Sequence, residues 1–427
     1  MLNIPTKFAA LLLTLVVSSI MLMPAASASE PAAEKKRKSY TLSQRVGKKM
    51  IKVYDLYAAD KLTSAIQLAL TIKAKKPYDQ AYLNRFLGNM YAGQSGQARK
   101  AISYIKRAVK ADILSTQEHG SALRTLADLH MQQSHYKLAI SRYKQWLKFT
   151  KASDPQVWLR IAQAHLELKQ FSQVIAPANR AIAAFAKPNK NPYLLKLAAY
   201  YQRKQYRNTI KVAVKLVELF PQEKTYWLQL GQFYMVNEQY KHALSTMHLA
   251  YLKGFVTSAT EIKVLAQLYR QNNIPHRSAL LLDKYIKSGL IKRDELMLKT
   301  VAVSWHQAKE LKRAADYYGQ AAKLGNNGEM YYKQGMLAFE LERYDQAIAA
   351  LTRAIKTNNN AKSKPLRQHA NALLTIGQAY FYKLNYPRAY RKMQQAIKSD
   401  NTRVVKHAKL WLKHIKATAL ANKVAYR

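Results

Sequence analysis

A unit of about 34 residues recurs along this 427-residue chain, and a period of that length restricts it to a stack of two-helix units. The clearest copy carries Trp227, Leu230, Gly231, Tyr234, Ala243 and Ala250. Gly231 and Ala243 lie twelve positions apart and Ala243 and Ala250 seven apart, and the rhythm returns as Gly335, Ala347 and Ala354 and as Gly377, Ala389 and Ala396. Small residues are needed where two helices press together and large ones fill the space between, so each copy reads as an antiparallel helix hairpin. The small residue of the first helix serves as a register mark at Val53, Gly88, Ala127, Ala162, Leu197, Gly231, Ala266, Ala302, Gly335 and Gly377. Two spacings are wide and predict loops, one with extra residues at Gln94 to Gly96 and Ser115 to Gly120, the other over Asn358 to His369. Pro77 and Pro221 are read as stops of second helices.

These marks resemble the tetratricopeptide repeat (TPR). The resemblance implies an all-α fold, a right-handed TPR solenoid of about ten helix-turn-helix repeats over residues 45–403. After the last repeat, Val405, Ala408, Leu412, Ile415 and Ala419 share one helical face and Lys406, Lys409, Lys413 and Lys416 another. Residues 404–427 therefore read as a C-terminal capping helix that closes the apolar end of the stack. A basic amphipathic helix of this kind also suits peripheral contact with an anionic membrane.

The first 28 residues have Lys7, an apolar run from Phe8 to Val17 and a small-residue site at Ala26-Ser27-Ala28, the pattern of a signal peptide cleaved after Ala28. Residues 29–44, with the charge run Lys35 to Lys38, read as a flexible basic leader. The chain has no cysteine, which excludes disulfides and thiolate chemistry. Together these features predict a periplasmic protein. Its formal net charge of +46 would suggest nucleic acid in a cytoplasmic protein. Export removes that partner and leaves anionic envelope polymers, acidic protein segments, or solubility alone as reasons for the charge.

Catalytic constellations are not written in the sequence. No His-x3-His pair, phosphate-cradling glycine loop or nucleophile elbow occurs, so neither enzyme activity nor a cofactor nor a metal is expected. Tyr91, Tyr200, Tyr234, Tyr269 and Tyr380 share one repeat position, and Tyr136, Phe171, Tyr206, Tyr240, Tyr344 and Tyr386 another. Such strict recurrence assigns them to packing, and His130 stands where tyrosine recurs.

In TPR proteins the first helix of each hairpin lines a concave surface, and the register gives the inward positions. A partner-binding groove is accordingly expected from Arg85, Asn89, Arg124, Tyr201, Met235, Lys263, Arg270, Lys299, His306, Phe339 and Phe381. Basic residues with a few apolar anchors suit an extended peptide carrying carboxylates. Arg85 and Asn89 resemble the opening pair of the carboxylate clamp of chaperone-binding TPR domains, but Thr125 and Gln156 with Arg160 depart from the rest of that clamp. On this reading Arg124 is a free surface cation whose loss leaves stability almost unchanged, whereas a large residue at Gly231 overpacks its hairpin.

From Tyr193 to Asn358 the chain also resembles exported TPR proteins associated with TonB-type energy-transduction systems of gammaproteobacteria. The residues carrying this likeness are Tyr226 to Gly231, Leu249-Ala250-Tyr251 with Gly254, Leu265 to Tyr269, Ile274-Pro275 and Ser288 to Ile291, with Trp411-Leu412-Lys413 beyond. It implies a non-catalytic periplasmic scaffold, an accessory component of an ExbB, ExbD and TonB machine serving receptors for iron carriers. The alternative is a cell-envelope adaptor that holds anionic peptidoglycan or lipopolysaccharide by charge.

Overall fold

The protein is seen in a computed structural model that describes residues 37–359 and 366–426. The expected signal peptide and the first part of the leader lie outside the described residues. Among the described residues there are 21 helices and no strand, arranged as the hairpins of a TPR solenoid. The chain divides into two compact units, Met1–Tyr226 and Trp227–Arg427.

The first unit holds five hairpins: α1 (Gln44–Ala58) with α2 (Leu62–Leu70), α3 (Pro77–Ala92) with α4 (Ala98–Lys110), α5 (Thr116–Gln132) with α6 (Tyr136–Thr150), α7 (Pro155–Glu167) with α8 (Phe171–Ala184), and α9 (Lys190–Gln202) with α10 (Tyr206–Leu219). The second begins within α11 (Lys224–Val236). It continues with α12 (Tyr240–Leu252), α13 (Ala259–Gln271), α14 (Pro275–Lys287), α15 (Glu295–Gln307), α16 (Leu311–Gly325), α17 (Gly328–Glu340), α18 (Tyr344–Asn359), α19 (Leu366–Tyr382), α20 (Tyr386–Ala396) and α21 (Thr402–Ala421).

Every register mark is buried. The reason is visible at the glycines: a Cβ added to Gly231 would lie 2.8 Å from Met247 Cγ, one on Gly335 2.5 Å from Leu351 Cγ, and one on Gly377 2.8 Å from Met393 Cε. The close approach is thus between the first helix's backbone and a large side chain of its own second helix. The recurrent tyrosines follow: Tyr91, Tyr269 and Tyr386 are buried, and Tyr136, Tyr206, Tyr240 and Tyr344 are half-buried.

Each hairpin turns through a residue in the left-handed region placed two before its second helix: Asp60, Gly96, Ser134, Lys169, Lys204, Glu238, Asn273, Lys309, Glu342 and Leu384. Except after Gly96, where the Gln97 N–H goes to the Gln94 carbonyl, the next residue's N–H returns to a carbonyl five positions back, as from His135 to His130, Gln170 to His165, Ile274 to Tyr269 and Asn385 to Tyr380. This is the Schellman closure, which satisfies carbonyls the first helix leaves unpaired.

The structure corrects several local expectations. Ser115 to Gly120 is not a loop: Ser115 caps α5, its Oγ accepting from the Glu118 N–H at 3.3 Å while Glu118 Oε2 accepts from the Ser115 N–H at 3.1 Å. The wide spacing is therefore partly a longer helix. In the second wide spacing α18 continues through Asn359 and α19 starts at Leu366, while 360–365 lie outside the described residues. Pro77 opens α3 rather than stopping α2, which ends at Leu70. The last leader residues are held rather than loose, since Ser43 donates its N–H and its hydroxyl to buried Asp79 at 3.0 and 2.6 Å.

At the other end α21 packs on α19 and α20, burying Val404, Ala408, Ile415 and Ala419 and leaving the four lysines exposed. No helix among the described residues is long and apolar enough to cross a membrane.

Candidate functional site

In the first unit the structure gives the expected groove cations internal partners. Arg85 on α3 reaches the Glu118 carboxylate at 3.2 Å and lies 5.1 Å from the Tyr82 ring centroid. Glu118 is the residue that closes the α5 cap, so the pair ties one hairpin to the first turn of the next. Arg124 on α5 repeats the arrangement. Its Nη1 meets Asp154 Oδ2 at 2.5 Å while its guanidinium sits 5.5 Å from the Trp146 centroid. Asp154 is only 8 % exposed and caps α7 by accepting from Gln156 and Val157 N–H. The expectation that Arg124 is a free cation is therefore corrected: it compensates a buried carboxylate. Asn89 is exposed, and Tyr201 packs edge-on to Tyr206, where burial and then Tyr206 hold its phenol above the ordinary pKa.

The second unit brings more of the expected residues together. Arg270 at the end of α13 and His306 at the end of α15 line one cavity of about 490 Å³ with Asn273, Gln307 and Lys309. Among the described residues no carboxylate lines it. Lys309 is the left-handed turn residue of its hairpin and lines this cavity together with His306. Lys263 is exposed on α13, and Met235 is half-buried against the unit's core. Lys299 is partly committed: a hydrogen bond from Lys333, followed by the charges of Lys333 and Lys299, holds the Glu329 carboxyl below the ordinary range.

Phe339 and Phe381 belong to one aromatic surface. Tyr382 links them, with centroids 6.1 Å from Phe339 and 5.8 Å from Phe381. Tyr344 stacks on Tyr382 at 5.3 Å, and Trp411 and His414 of α21 close on Phe381 at 5.3 and 5.0 Å. Tyr382 remains 49 % exposed, so the patch leaves an aromatic surface open to solvent. Sequence reading missed Tyr382, Lys309, Trp411 and His414. The first two sit just past the marked helix positions, and the others belong to a helix read only as a cap.

His130 confirms the packing role its position suggests. It is buried, 5.7 Å from the His135 ring, with burial, His135, Arg142 and Lys106 pushing its pKa down to about 4. Among the described residues no group of three or more His, Asp or Glu side chains could hold a metal ion.

The fold defines a class: a stack of antiparallel helix hairpins. The tetratricopeptide-repeat family model matches residues 90–155 and 332–402, so these two stretches are read as tetratricopeptide repeats. No curated protein sequence matches it. Among solved structures it is similar to MamA from Desulfovibrio magneticus RS-1 at 21 % identity, over 40 % of this chain and 94 % of that one, with a TM-score of 0.34. It is also similar to YrrB, described as a TPR protein with an unusual peptide-binding site, at 18 % identity over 54 % of this chain and 97 % of that one, TM-score 0.25. A third likeness is to the APC/C hetero-tetramer Cut9–Hcn1, at 15 % identity over 87 % of this chain and 76 % of that one, TM-score 0.26.

Proposed function

We propose that this chain is a non-catalytic periplasmic scaffold that holds an extended, acidic segment of a protein partner, as an accessory component of a TonB-type iron-carrier transport system. TPR proteins mediate protein–protein interaction, and the observation that carries the reading further is in the second unit. Arg270, His306 and Lys309 line a cavity without a carboxylate, and Phe339, Tyr382 and Phe381 form a joined aromatic face in the same unit. Cations recognise carboxylates and exposed aromatic rings accept apolar anchors, so a peptide alternating the two classes fits. Periplasmic location rests on the signal-peptide pattern of residues 1–28, and the transport role on the likeness between Tyr193 and Asn358.

Two experiments test the two levels separately. Photo-crosslinking from His306 and from Tyr382 in living cells is expected to capture the same partner, with loss of both crosslinks on Arg270→Glu. Crosslinks that survive the reversal of charge overturn the binding surface. A deletion strain is expected to grow poorly with iron-carrier complexes as the iron source, and normal growth removes the transport role while leaving the scaffold intact.

A further inference from the structure

The first unit contains a cavity that the scaffold role leaves unexplained. It opens between α4 and α6, with α5 beneath, and holds about 1000 Å³. Among the described residues six basic side chains line it, Arg37, Lys106, Lys110, Arg142, Lys148 and Lys151, with one carboxylate, Asp112. That carboxylate is already engaged. Arg37 Nη2 donates to Asp112 Oδ1 at 2.5 Å and its Nη1 to the Leu114 carbonyl at 3.3 Å, while its guanidinium lies 5.0 Å from the Phe149 centroid. The Arg37 N–H donates to Thr116 Oγ1 at 3.2 Å, so the end of the leader forms part of the wall. Among the described residues no second carboxylate lines the cavity to offset Lys106, Lys110, Arg142 and Lys148.

Two buried nitrogens add an independent sign. His119 lines the cavity at 6 % exposure, and its Nδ1 makes no hydrogen bond, the nearest carboxylate oxygen being Asp112 Oδ1 at 3.7 Å. Burial, then the charge of Arg37, pushes its pKa down against the opposing pull of Asp112. Arg142 donates from Nη1 to Gln145 Oε1 at 2.6 Å, but its Nε is buried without a partner. Buried polar groups are almost always satisfied, and like charges gathered around one space repel. An anion inside relieves both costs.

We propose that this cavity is a binding site for a phosphate-bearing group. A phosphate offers several acceptor oxygens and up to two charges to point-like lysines and fork-shaped arginines, which a single carboxylate does not. Phe149 and Val109 on the lining accept the apolar part of whatever carries it. The carrier is a lipid headgroup or a soluble phosphorylated compound. The site shares no residue with the second-unit surface and stands or falls independently of it.

Titration of the full chain with pyrophosphate, and with phosphatidylcholine vesicles containing phosphatidic acid, separates the two sources. Lys110→Ser with Lys148→Ser, both exposed, is expected to weaken the bound probe about tenfold, the loss of two charge-assisted contacts. Lys48→Ser with Lys52→Ser removes the same charge from exposed positions of α1 and is expected to change binding less than about twofold. Pyrophosphate binding with this pattern identifies a soluble ligand, and vesicle binding alone identifies a headgroup. Equal weakening by the two double variants, or no binding of either probe at low salt, overturns the site. In the unaltered protein the His119 imidazole resonances are expected to shift on adding pyrophosphate, and unmoved resonances overturn it as well.

Discussion

Arg124 shows how a single side chain changes meaning between a repeat pattern and a folded chain. By register it is an inward-facing cation; in the structure its guanidinium closes on Asp154, a residue 8 % exposed, and lies over Trp146. Breaking a pair that is largely out of water leaves its partner's charge uncompensated. Arg124→Ala is therefore expected to cost about 2 kcal/mol, part of the penalty remaining offset by the α7 N–H groups that Asp154 accepts. Urea unfolding of the variant checks this, and a midpoint equal to that of the parent refutes it. His130 supplies a pH dependence. Its pKa is depressed from 6.5 to about 4 by burial, His135, Arg142 and Lys106, so the unfolded chain binds the proton more readily between those values. Stability then falls as pH drops through that window and is unaffected by this group above it. His130→Tyr, the residue type found at Tyr91 and Tyr269, is expected to lessen the loss between pH 7 and pH 5 in the same denaturation assay; an unchanged difference rejects the assignment.

At the scale of the helix hairpin, the register marks are legible because packing needs a small residue at one fixed place, and Gly231, Gly335 and Gly377 all lie under a large side chain of the next helix. The turns are less legible. Lys169, Lys204, Glu342 and Leu384 adopt the left-handed region with nothing in their chemistry to announce it, because the Schellman hydrogen bonds impose that conformation on whatever residue stands there. The capping boxes at Ser115 and Ser258 are written in the sequence as serine followed three residues later by glutamate, yet the polar character of the first also suits a loop. In the proposed binding surface, positions such as Arg270, His306, Phe339 and Phe381 follow from the period. The pairing of Arg85 with Glu118 and of Arg124 with Asp154 does not, since the partners lie 33 and 30 residues away and no period specifies which charge will meet which. Leu384 gives the turn argument a test. It is 71 % exposed with φ near 57°, a conformation that costs a side-chain-bearing residue about 1–2 kcal/mol, part of which glycine returns as unfolded-state entropy. Leu384→Gly is expected to raise stability by about 0.5–1 kcal/mol, read by thermal melting, and a fall would mean that the leucine contributes packing its exposure does not suggest.

For the molecule as a whole, the imbalance of 70 basic against 24 acidic residues decides how it responds to salt. Ion pairs such as Lys215 with Glu218 and Lys190 with Glu223 are about half exposed, and pairs of that kind contribute little that screening could remove. Repulsion among the excess cations outweighs them, and it is weaker in an expanded chain whose charges are farther apart. At about 10 mM salt the Debye length is roughly 30 Å and reaches across several helices, whereas at about 100 mM it is roughly 10 Å, the spacing of neighbouring ones. Sodium chloride is therefore expected to raise Tm, with most of the gain complete by about 100 mM. A Tm that falls with sodium chloride would show that attractive pairs, not the net charge, dominate the folded state. Sodium phosphate at matched ionic strength carries a second expectation: occupation of the cavity between α4 and α6 adds binding energy to the folded state alone, so Tm rises further than in chloride. That extra rise should vanish in the Lys110→Ser, Lys148→Ser protein and persist in the Lys48→Ser, Lys52→Ser protein, which separates a site from a field.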